Sequence, residues 1–394
     1  GSDRDLGEVL GHAFTPIDAM LTASGYSREI PYREVKRLGI KETRRDIINP
    51  NGVSVWLDAS KDIWKNEGVW ALDDAGLPHI QRNEHFRGTD FYQDHLSPLI
   101  ISYAESIREV FPEAMVFVQA PFEPILKGQV RDFKVPPNAV HAPHWYDVAT
   151  MGMKRFMGKA SYDIMKGSTV IGGGRIRKMF AEQLEALKSF TPRIMGEAPT
   201  VIGEFGLCFD LEKKKAYEQF QKEPALAWKT HIQALNTYYN SLDRNLLHAF
   251  HWNYTPDNDN TWGDQWNLED FSIFSRDQQT EPLNIDSGGR ALQGFCRPRF
   301  LCLAGTPRVM EFDLKGGSFH LEFDGDPTVA APTILYIPAV QFPMGFTVEA
   351  VNLEVEHHVE NQLFLVRPCT EGKCTVRINR KGQFRFELDD DEMD

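Results

Sequence analysis

Four short apolar runs in the middle of the chain alternate with stretches of helical periodicity. The runs occupy residues 114–119, 139–144, 200–204 and 248–252. Apolar residues recur at helical spacing over residues 91–111, 174–190 and 224–243, and Pro112 marks the end of the first helix. An apolar strand needs cover on both faces, so this alternation predicts an α/β fold with parallel strands and helices packed against them.

Beyond residue 295 the pattern changes to short runs in which apolar and polar residues alternate. These runs occupy residues 309–314, 318–324, 333–337, 346–356, 362–366, 374–379 and 383–388. Alternating runs at regular intervals predict an antiparallel β-sandwich domain. Residues 1–90 hold turns, charges and scattered aromatic residues, with neither a long periodic helix nor a clean buried strand. The pattern therefore divides the chain into residues 1–90, 91–295 and 296–394.

Charge and composition narrow the classes of partner. The 394 residues carry a net charge of -13, and no segment combines clustered Lys and Arg with aromatic residues, which argues against a nucleic-acid partner. A neutral ligand fits this composition better. No apolar stretch approaches the ~20 residues that span a bilayer. Five cysteines without zinc spacing favour a reducing compartment, so we expect a cytoplasmic or vacuolar protein.

Glu204 is the strongest candidate for chemistry. It ends the run 200–204 and lies between Gly203 and Phe205, with Gly206 next. A carboxylate at the end of a buried strand is costly unless something there uses it, and the glycines let a ligand pass close to the backbone. Glu204 is therefore a candidate nucleophile, although a structural ion pair with Arg or Lys would explain the same pattern.

His144 and Tyr146 end the preceding run. They are separated by one residue, so both side chains lie on the same side of an extended segment, on the face that bears Glu204. A tyrosine hydroxyl can orient a carboxylate and tune its basicity, and a histidine can bind the same carboxylate or a sugar hydroxyl. A purely structural role stays open for either residue.

The last run of the series supplies candidate ligand-binding residues. Trp252 offers an aromatic face that suits the C–H face of a pyranose, and Asn253 can bind hydroxyl groups; core packing is the alternative for Trp252. The segment 257–275, which includes Asp264, is dense in Asp, Asn and Trp and could line a sugar subsite. Its spacing does not fit a calcium-binding EF-hand. Gln119, at the end of the first run, could reach the same edge.

These motifs resemble glycoside hydrolase family 5, and within it the fungal endoglycoceramidase-related enzymes that remove glucose from glycolipids. The motifs are PHWYD at 143–147, IGEFG at 202–206, HWNY at 251–254 and GDQWN at 263–267. The resemblance also covers residues 1–90, where the segment from Trp64 to Trp70 looks like the family's insertion after the fourth barrel strand. It continues into the C-terminal domain from Arg297, so it covers nearly the whole chain.

The resemblance implies a particular fold. The chain would hold the C-terminal half of a (β/α)8 TIM barrel, strands five to eight, followed by a C-terminal antiparallel β-sandwich. The family's acid/base glutamate precedes the insertion, so we expect it on an N-terminal segment that comes before Gly1. Glu67 and Glu84 follow asparagines, as that glutamate does, but neither follows an apolar strand. Since half a barrel would expose sheet edges, we expect an N-terminal fragment of the same enzyme as a partner.

The resemblance also implies a function. Glu204 would be the nucleophile of a retaining β-glucosidase, oriented by Tyr146 and His144. The sugar would be bound by Trp252, Asn253, Gln119 and Asp264. The substrate would be a glycolipid, a steryl β-glucoside in preference to glucosylceramide, reached through transient contact with a membrane surface. No metal or organic cofactor is implied. A catalytically silent carbohydrate- or lipid-binding protein and a polysaccharide endoglucanase stay open as alternatives.

Overall fold

The computed structural model describes residues 11–382 except 37–38, 83, 86–87, 89, 120–133, 266–268, 282 and 359–360. The chain forms two compact units, Gly1–Leu99 and Ile100–Asp394. Both contain helices and strands, so the protein is of mixed α/β type. Among the described residues, no helix has the length and apolar composition to cross a membrane.

The first unit is built around a three-stranded antiparallel sheet, β1 to β3. Its elements are β1 (Gly11–His12), α1 (Pro16–Ala23), β2 (Arg28–Lys36), β3 (Gly39–Ile48), α2 (Ile63–Asn66), β4 (Trp70–Leu72) and β5 (Pro78–Ile80). Helix α1 begins where Thr15 and Asp18 form a capping box. Pro16 takes the first helical position, where its missing N–H leaves no hydrogen bond unmade.

Residues 1–90 contain a long hairpin of β2 and β3, which the sequence pattern did not predict. Ile30 is buried, but most of the described side chains along the hairpin are partly or fully exposed. Charged side chains pair across its surface, as Arg45 does with Glu42 at 2.8 Å. Because a strand that is exposed on both faces needs no apolar run, the periodicity analysis did not detect it.

Four strands of the second unit lie parallel to one another. The elements over residues 97–295 are α3 (Ser97–Arg108), β6 (Val116–Val118), β7 (Ala139–His141), α4 (Val148–Met153), β8 (Ala160–Asp163), β9 (Ser168–Ile171), α5 (Gly173–Met195), β10 (Val201–Phe205), α6 (Leu211–Lys222), α7 (Lys229–Arg244), β11 (His248–His251) and α8 (Leu292–Phe295). Strands β6 and β7 pair in parallel, as do β10 and β11. A parallel bridge between His141 and Thr200 joins the two pairs, so the spatial order follows the chain order. The four apolar runs are confirmed as strands.

Helices α5 and α7 pack against these strands. Ile176, Phe180 and Leu184 of α5 recur at helical spacing and share one core cluster with Ile202 and Phe205 of β10. The predicted helix over 174–190 is confirmed and extends to Met195. The one predicted over 224–243 begins later, at Lys229, because Pro224 starts a separate 3-10 turn.

The C-terminal part of the second unit contains two four-stranded antiparallel sheets. The strands are β12 (Arg299–Cys302), β13 (Gly305–Asp313), β14 (Ser318–Gly325), β15 (Thr333–Tyr336), β16 (Phe346–Val351), β17 (Leu353–His358), β18 (Leu363–Pro368) and β19 (Gly372–Arg380). One sheet has the order β12-β15-β18-β17 and the other β13-β14-β19-β16. Phe323 and Val376 of one sheet share a buried cluster with Leu335 and Phe364 of the other.

Two details of this region correct the sequence analysis. The run 346–356 is two strands in different sheets, separated at Asn352, whose φ of 60° reverses the chain. Strand β12, which has only a short apolar segment, was not predicted. The predicted strand over 383–388 lies outside the described residues.

Candidate active site

Glu204 lies near the carboxyl end of β10, where two neighbouring segments hold its backbone. Its carbonyl accepts a hydrogen bond from the Trp145 N–H at 2.9 Å, and the Gly203 N–H donates to the Pro143 carbonyl at 2.9 Å. A Cβ at position 203 would come within 2.7 Å of the Ala142 carbonyl oxygen, so this close approach requires glycine. The Glu204 side chain is 24% exposed and is therefore reachable by a ligand.

Tyr146 and His144 both contact the carboxylate of Glu204. The Tyr146 hydroxyl donates to Glu204 Oε1 at 2.5 Å, and His144 Nδ1 lies 3.7 Å from the same oxygen. Trp145, between them in sequence, points the opposite way into the core and donates its indole N–H to Gln183 Oε1 at 3.0 Å. The buried Trp145 thus fixes the segment that presents its two neighbours to Glu204.

The protonation of Tyr146 is set by its surroundings. Burial raises the pKa of this phenol above its ordinary value, and the hydrogen bond to Glu204 and the negative charges of Glu204 and Glu269 raise that pKa further. The hydroxyl therefore keeps its proton over the working range of proteins and always acts as a donor to the carboxylate. This geometry holds one oxygen of a solvent-accessible carboxylate in place.

Trp252 and Asn253 follow β11 beside the same strand end. The Trp252 N–H donates to the Phe205 carbonyl at 2.8 Å, and a Cβ at Gly206 would come within 2.2 Å of the Trp252 carbonyl oxygen. Asn253 Nδ2 donates to Asp264 Oδ2 at 3.1 Å, and the Phe271 N–H donates to the same oxygen at 2.9 Å. Asp264 thus connects the end of β11 to the segment that follows it.

Gln119 lines a cavity of about 200 Å³ together with His144 and Tyr146. The rest of its wall comes from Pro143, Trp145, Val148, Ile164, Met165 and Gln183. A larger groove of about 610 Å³ lies elsewhere, between α5, α7 and β13, and none of the predicted site residues lines it. In the described chain, no group of three or more His, Cys, Asp or Glu residues is arranged to hold a metal ion.

Comparison with known proteins finds similar sequences and structures among fungal glucosidases. Residues 297–378 match the family model described as the glycoside hydrolase family 5 C-terminal domain. The crystal structure of Cryptococcus neoformans sterylglucosidase 1 is similar over 95% of this chain and 60% of that chain, with a TM-score of 0.77 and 26% sequence identity. Residues 297–378 thus resemble a family 5 domain, and nearly the whole chain resembles a fungal sterylglucosidase.

Two similar curated proteins are named for different substrates. A Rhizopus delemar glucosylceramidase is 26% identical over 362 residues, which cover 84% of this chain and 51% of that protein. A Saccharomyces cerevisiae ergosteryl-beta-glucosidase is 24% identical over 84% of this chain and 54% of that protein. The chain therefore spans about half the length of the curated relatives that it matches.

A set of charged residues near the proposed site was not predicted from the sequence. Lys154 donates to Asp210 Oδ1 at 3.1 Å, and both charges act on the half-buried carboxyl of Glu269. Burial raises the pKa of Glu269, Lys154 opposes that rise, and Asp210 and Asp264 add to it. Glu269 lies inside the segment 257–275 that was predicted to line a sugar subsite. The composition of that segment predicted the region but did not single out Glu269.

A buried ion pair supports this segment from behind. Arg290 and Asp270 are almost fully buried, and Arg290 donates to both carboxylate oxygens, with Nη1 at 2.8 Å from Oδ2 and Nη2 at 2.5 Å from Oδ1. Asn258 and Tyr217 also donate to Asp270. Although burial opposes it, the hydrogen bonds and charge of Arg290 hold the pKa of Asp270 below its ordinary value. The position of residues 269–271 is therefore fixed.

Proposed function

We propose that this chain supplies the nucleophile and much of the sugar site of a retaining β-glucosidase that acts on glycolipids. The observation that carries the proposal is the short hydrogen bond from Tyr146 to Glu204 at a parallel strand end. Similarity to fungal glucosidases supports the reaction class, hydrolysis of a β-glucosidic bond.

The proposed chemistry is a double displacement. Glu204 Oε2, the oxygen that Tyr146 leaves free, attacks the anomeric carbon as the bond to the lipid oxygen breaks, and a glycosyl ester forms through an oxocarbenium-like transition state. An acid protonates the departing oxygen and then, as a base, activates the water that releases glucose with its configuration retained. The hydrogen bond from Tyr146 holds Glu204 Oε1 while this happens, and His144 lies beside the same oxygen.

The remaining predicted residues would bind the glucosyl unit. In this proposal Trp252 packs against the C–H face of the ring, while Asn253, held by Asp264, presents its amide to the hydroxyl groups. Gln119 reaches the sugar from the cavity that it shares with His144 and Tyr146.

We propose that an N-terminal segment completes the barrel and carries the acid/base glutamate. The four parallel strands would then be strands five to eight, followed by the two-sheet sandwich, with 1–90, 91–295 and 296–394 as insertion, half-barrel and C-terminal domain. Two apolar rings support this view, because Phe117 and Phe250 pack against each other and are still 48% and 55% exposed. Exposed apolar side chains that adjoin one another often mark a contact with a partner.

For the substrate we favour a steryl β-glucoside over glucosylceramide. The support is the similarity to the sterylglucosidase structure, which extends over 95% of the chain. Both lipids need only an apolar groove beside the sugar site, so the site residues do not distinguish the two substrates. A direct assay with each lipid does. Purified full-length protein, incubated with each lipid in mixed micelles, is expected to release glucose faster from the steryl glucoside.

The nucleophile assignment is tested with Glu204→Gln in the full-length protein. We expect glucose release to fall at least roughly 10⁴-fold because the amide cannot form the glycosyl ester. The matched control is Glu218→Gln, an exposed residue of α6, which should keep wild-type activity. Unchanged activity of Glu204→Gln would refute the assignment of Glu204 as the nucleophile. If the wild-type protein bound glucosides without cleaving them, the alternative of a catalytically silent binding protein would be favoured.

A further inference from the structure

Glu269 lies on a segment that runs beside the end of β11. The Asn253 N–H donates to the Phe271 carbonyl at 3.3 Å, and the Ile273 N–H donates back to the Asn253 carbonyl at 2.9 Å. A Cβ at Gly263 would come within 2.5 Å of the Glu269 carbonyl oxygen. Backbone contacts thus fix residue 271 beside Asn253, one of the proposed sugar-binding residues, and residue 269 beside Gly263.

The side chains of this segment point to opposite sides. Asp270 points inward to Arg290. The Phe271 ring packs edge-on against Tyr146, with 5.9 Å between ring centroids. Because side chains two residues apart in an extended segment share a side, Glu269 faces the side of Tyr146. Its charge acts on Tyr146, which agrees with this placement.

The carboxylate of Glu269 is half-buried and has acceptor capacity to spare. Within the described residues, nothing donates a hydrogen bond to it, and the charges that act on it are Lys154, Asp210 and Asp264. Lys154 already donates to Asp210. A partly buried carboxylate without donors is costly, and a polyhydroxylated ligand at this place would supply them.

We propose that Glu269 is a specificity-determining residue that accepts a hydrogen bond from a ring hydroxyl of the bound glucosyl unit. This inference rests on the proposed function, because it assigns a second carboxylate to the same site. Glu269 does not serve as the acid/base in this proposal, which assigns that role to a glutamate of the N-terminal segment.

The test compares Glu269→Gln and Glu269→Ala with the wild type in the full-length protein. We expect kcat/KM to fall roughly 10-fold for Gln and 100-fold for Ala, the range for losing hydrogen bonds to a charged group. The loss should be equal for 4-nitrophenyl β-glucoside and a steryl β-glucoside. Glu349→Gln, an exposed residue of β16, is the matched control and should retain wild-type kinetics.

Deoxy substrates identify the contact. Among the 3-, 4- and 6-deoxy derivatives of 4-nitrophenyl β-glucoside, one should lose rate with the wild type but show no further loss with Glu269→Ala, because the same hydrogen bond is already gone. Additive losses for all three would overturn the proposal. A loss confined to the steryl glucoside, whose leaving group needs protonation, would overturn it in favour of an acid role.

A binding measurement tests the contact between Glu269 and the sugar independently of catalysis. Titration of D-glucono-1,5-lactone into Glu269→Gln should show binding weakened roughly 10-fold, with a Tm close to that of the wild type. Wild-type affinity in this variant would refute the role of Glu269 while leaving the nucleophile assignment intact. Conversely, a wild-type protein without glucosidase activity refutes the proposed function, and weakened lactone binding by the variant would still support the contact.

Discussion

Replacing Tyr146 with phenylalanine tests the central feature of the site. The change removes one hydroxyl and keeps the ring, including its edge-on contact with Phe271 at 5.9 Å. What is lost is the donor that lies 2.5 Å from Glu204 Oε1. His144 Nδ1, at 3.7 Å from that oxygen, is too far away to replace it as a hydrogen-bond donor.

The expected magnitude follows from the kind of hydrogen bond. A bond to a charged acceptor contributes about 1.5–3 kcal/mol, and each 1.36 kcal/mol corresponds to a factor of ten in rate. If this bond orients Glu204 during attack, Tyr146→Phe should lower kcat/KM roughly 10- to 150-fold, with most of the loss in kcat. The burial and charges that raise the pKa of Tyr146 keep its hydroxyl a donor, so the defect should not vary with pH between 5 and 8.

The assay measures kcat and KM of the full-length protein with 4-nitrophenyl β-glucoside, together with Tm. Tyr162→Phe removes a hydroxyl from a half-exposed tyrosine of β8 and should change neither rate nor Tm. A Tyr146→Phe variant with more than half of the wild-type kcat/KM would refute the orientation argument. So would a rate loss that only accompanied a large fall in Tm, because it would show that the hydroxyl supports the fold.

Two further predictions concern the stability of the second unit. Asp270→Asn leaves Arg290 buried without its countercharge, so urea unfolding should show a loss of about 3–5 kcal/mol; a loss under 1 kcal/mol would contradict the buried pair. Burial lowers the pKa of His141 and His251 to about 4 and that of His231 to about 3. Because these pKa values lie below that of an unfolded histidine, the unfolded chain binds more protons and stability falls as pH drops from about 6.5 toward 4, by roughly 2 kcal/mol per histidine at pH 5. Urea midpoints measured from pH 7 to 5 should fall accordingly, and a flat profile would contradict the neutral buried histidines.

The parallel strands could be predicted from the sequence because their short apolar runs leave a local signal. The run 200–204 stands out because Ile202 is fully buried, while Glu204 at its end is the exception that pointed to chemistry. The hairpin β2–β3 gave no such signal, since pairing of its backbone rather than burial of its side chains holds it. Likewise, the break at Asn352 depends on a single left-handed residue within a continuous alternating pattern.

The pairing of Tyr146 with Glu204 was predicted in outline, because parallel strands bring their carboxyl ends to one edge. The position of Glu269 was not, since it depends on contacts between segments far apart in sequence. The side that it faces is set by Asp270, which binds Arg290, and by Phe271, which packs on Tyr146. Composition alone treats all acidic residues in 257–275 alike.

Exposed rings on the four parallel strands bear on our proposal that an N-terminal segment supplies the acid/base glutamate. The side chains of Phe117 in β6 and Phe250 in β11 pack edge-on against each other at 6.1 Å between ring centroids, yet both are about half exposed. A closed barrel would bury them beneath further strands. If strands from an N-terminal segment cover these rings, their carboxyl ends come to the edge that bears Glu204, because all strands of such a barrel are parallel. The same closure that removes the apolar exposure would therefore bring a second carboxylate opposite the nucleophile.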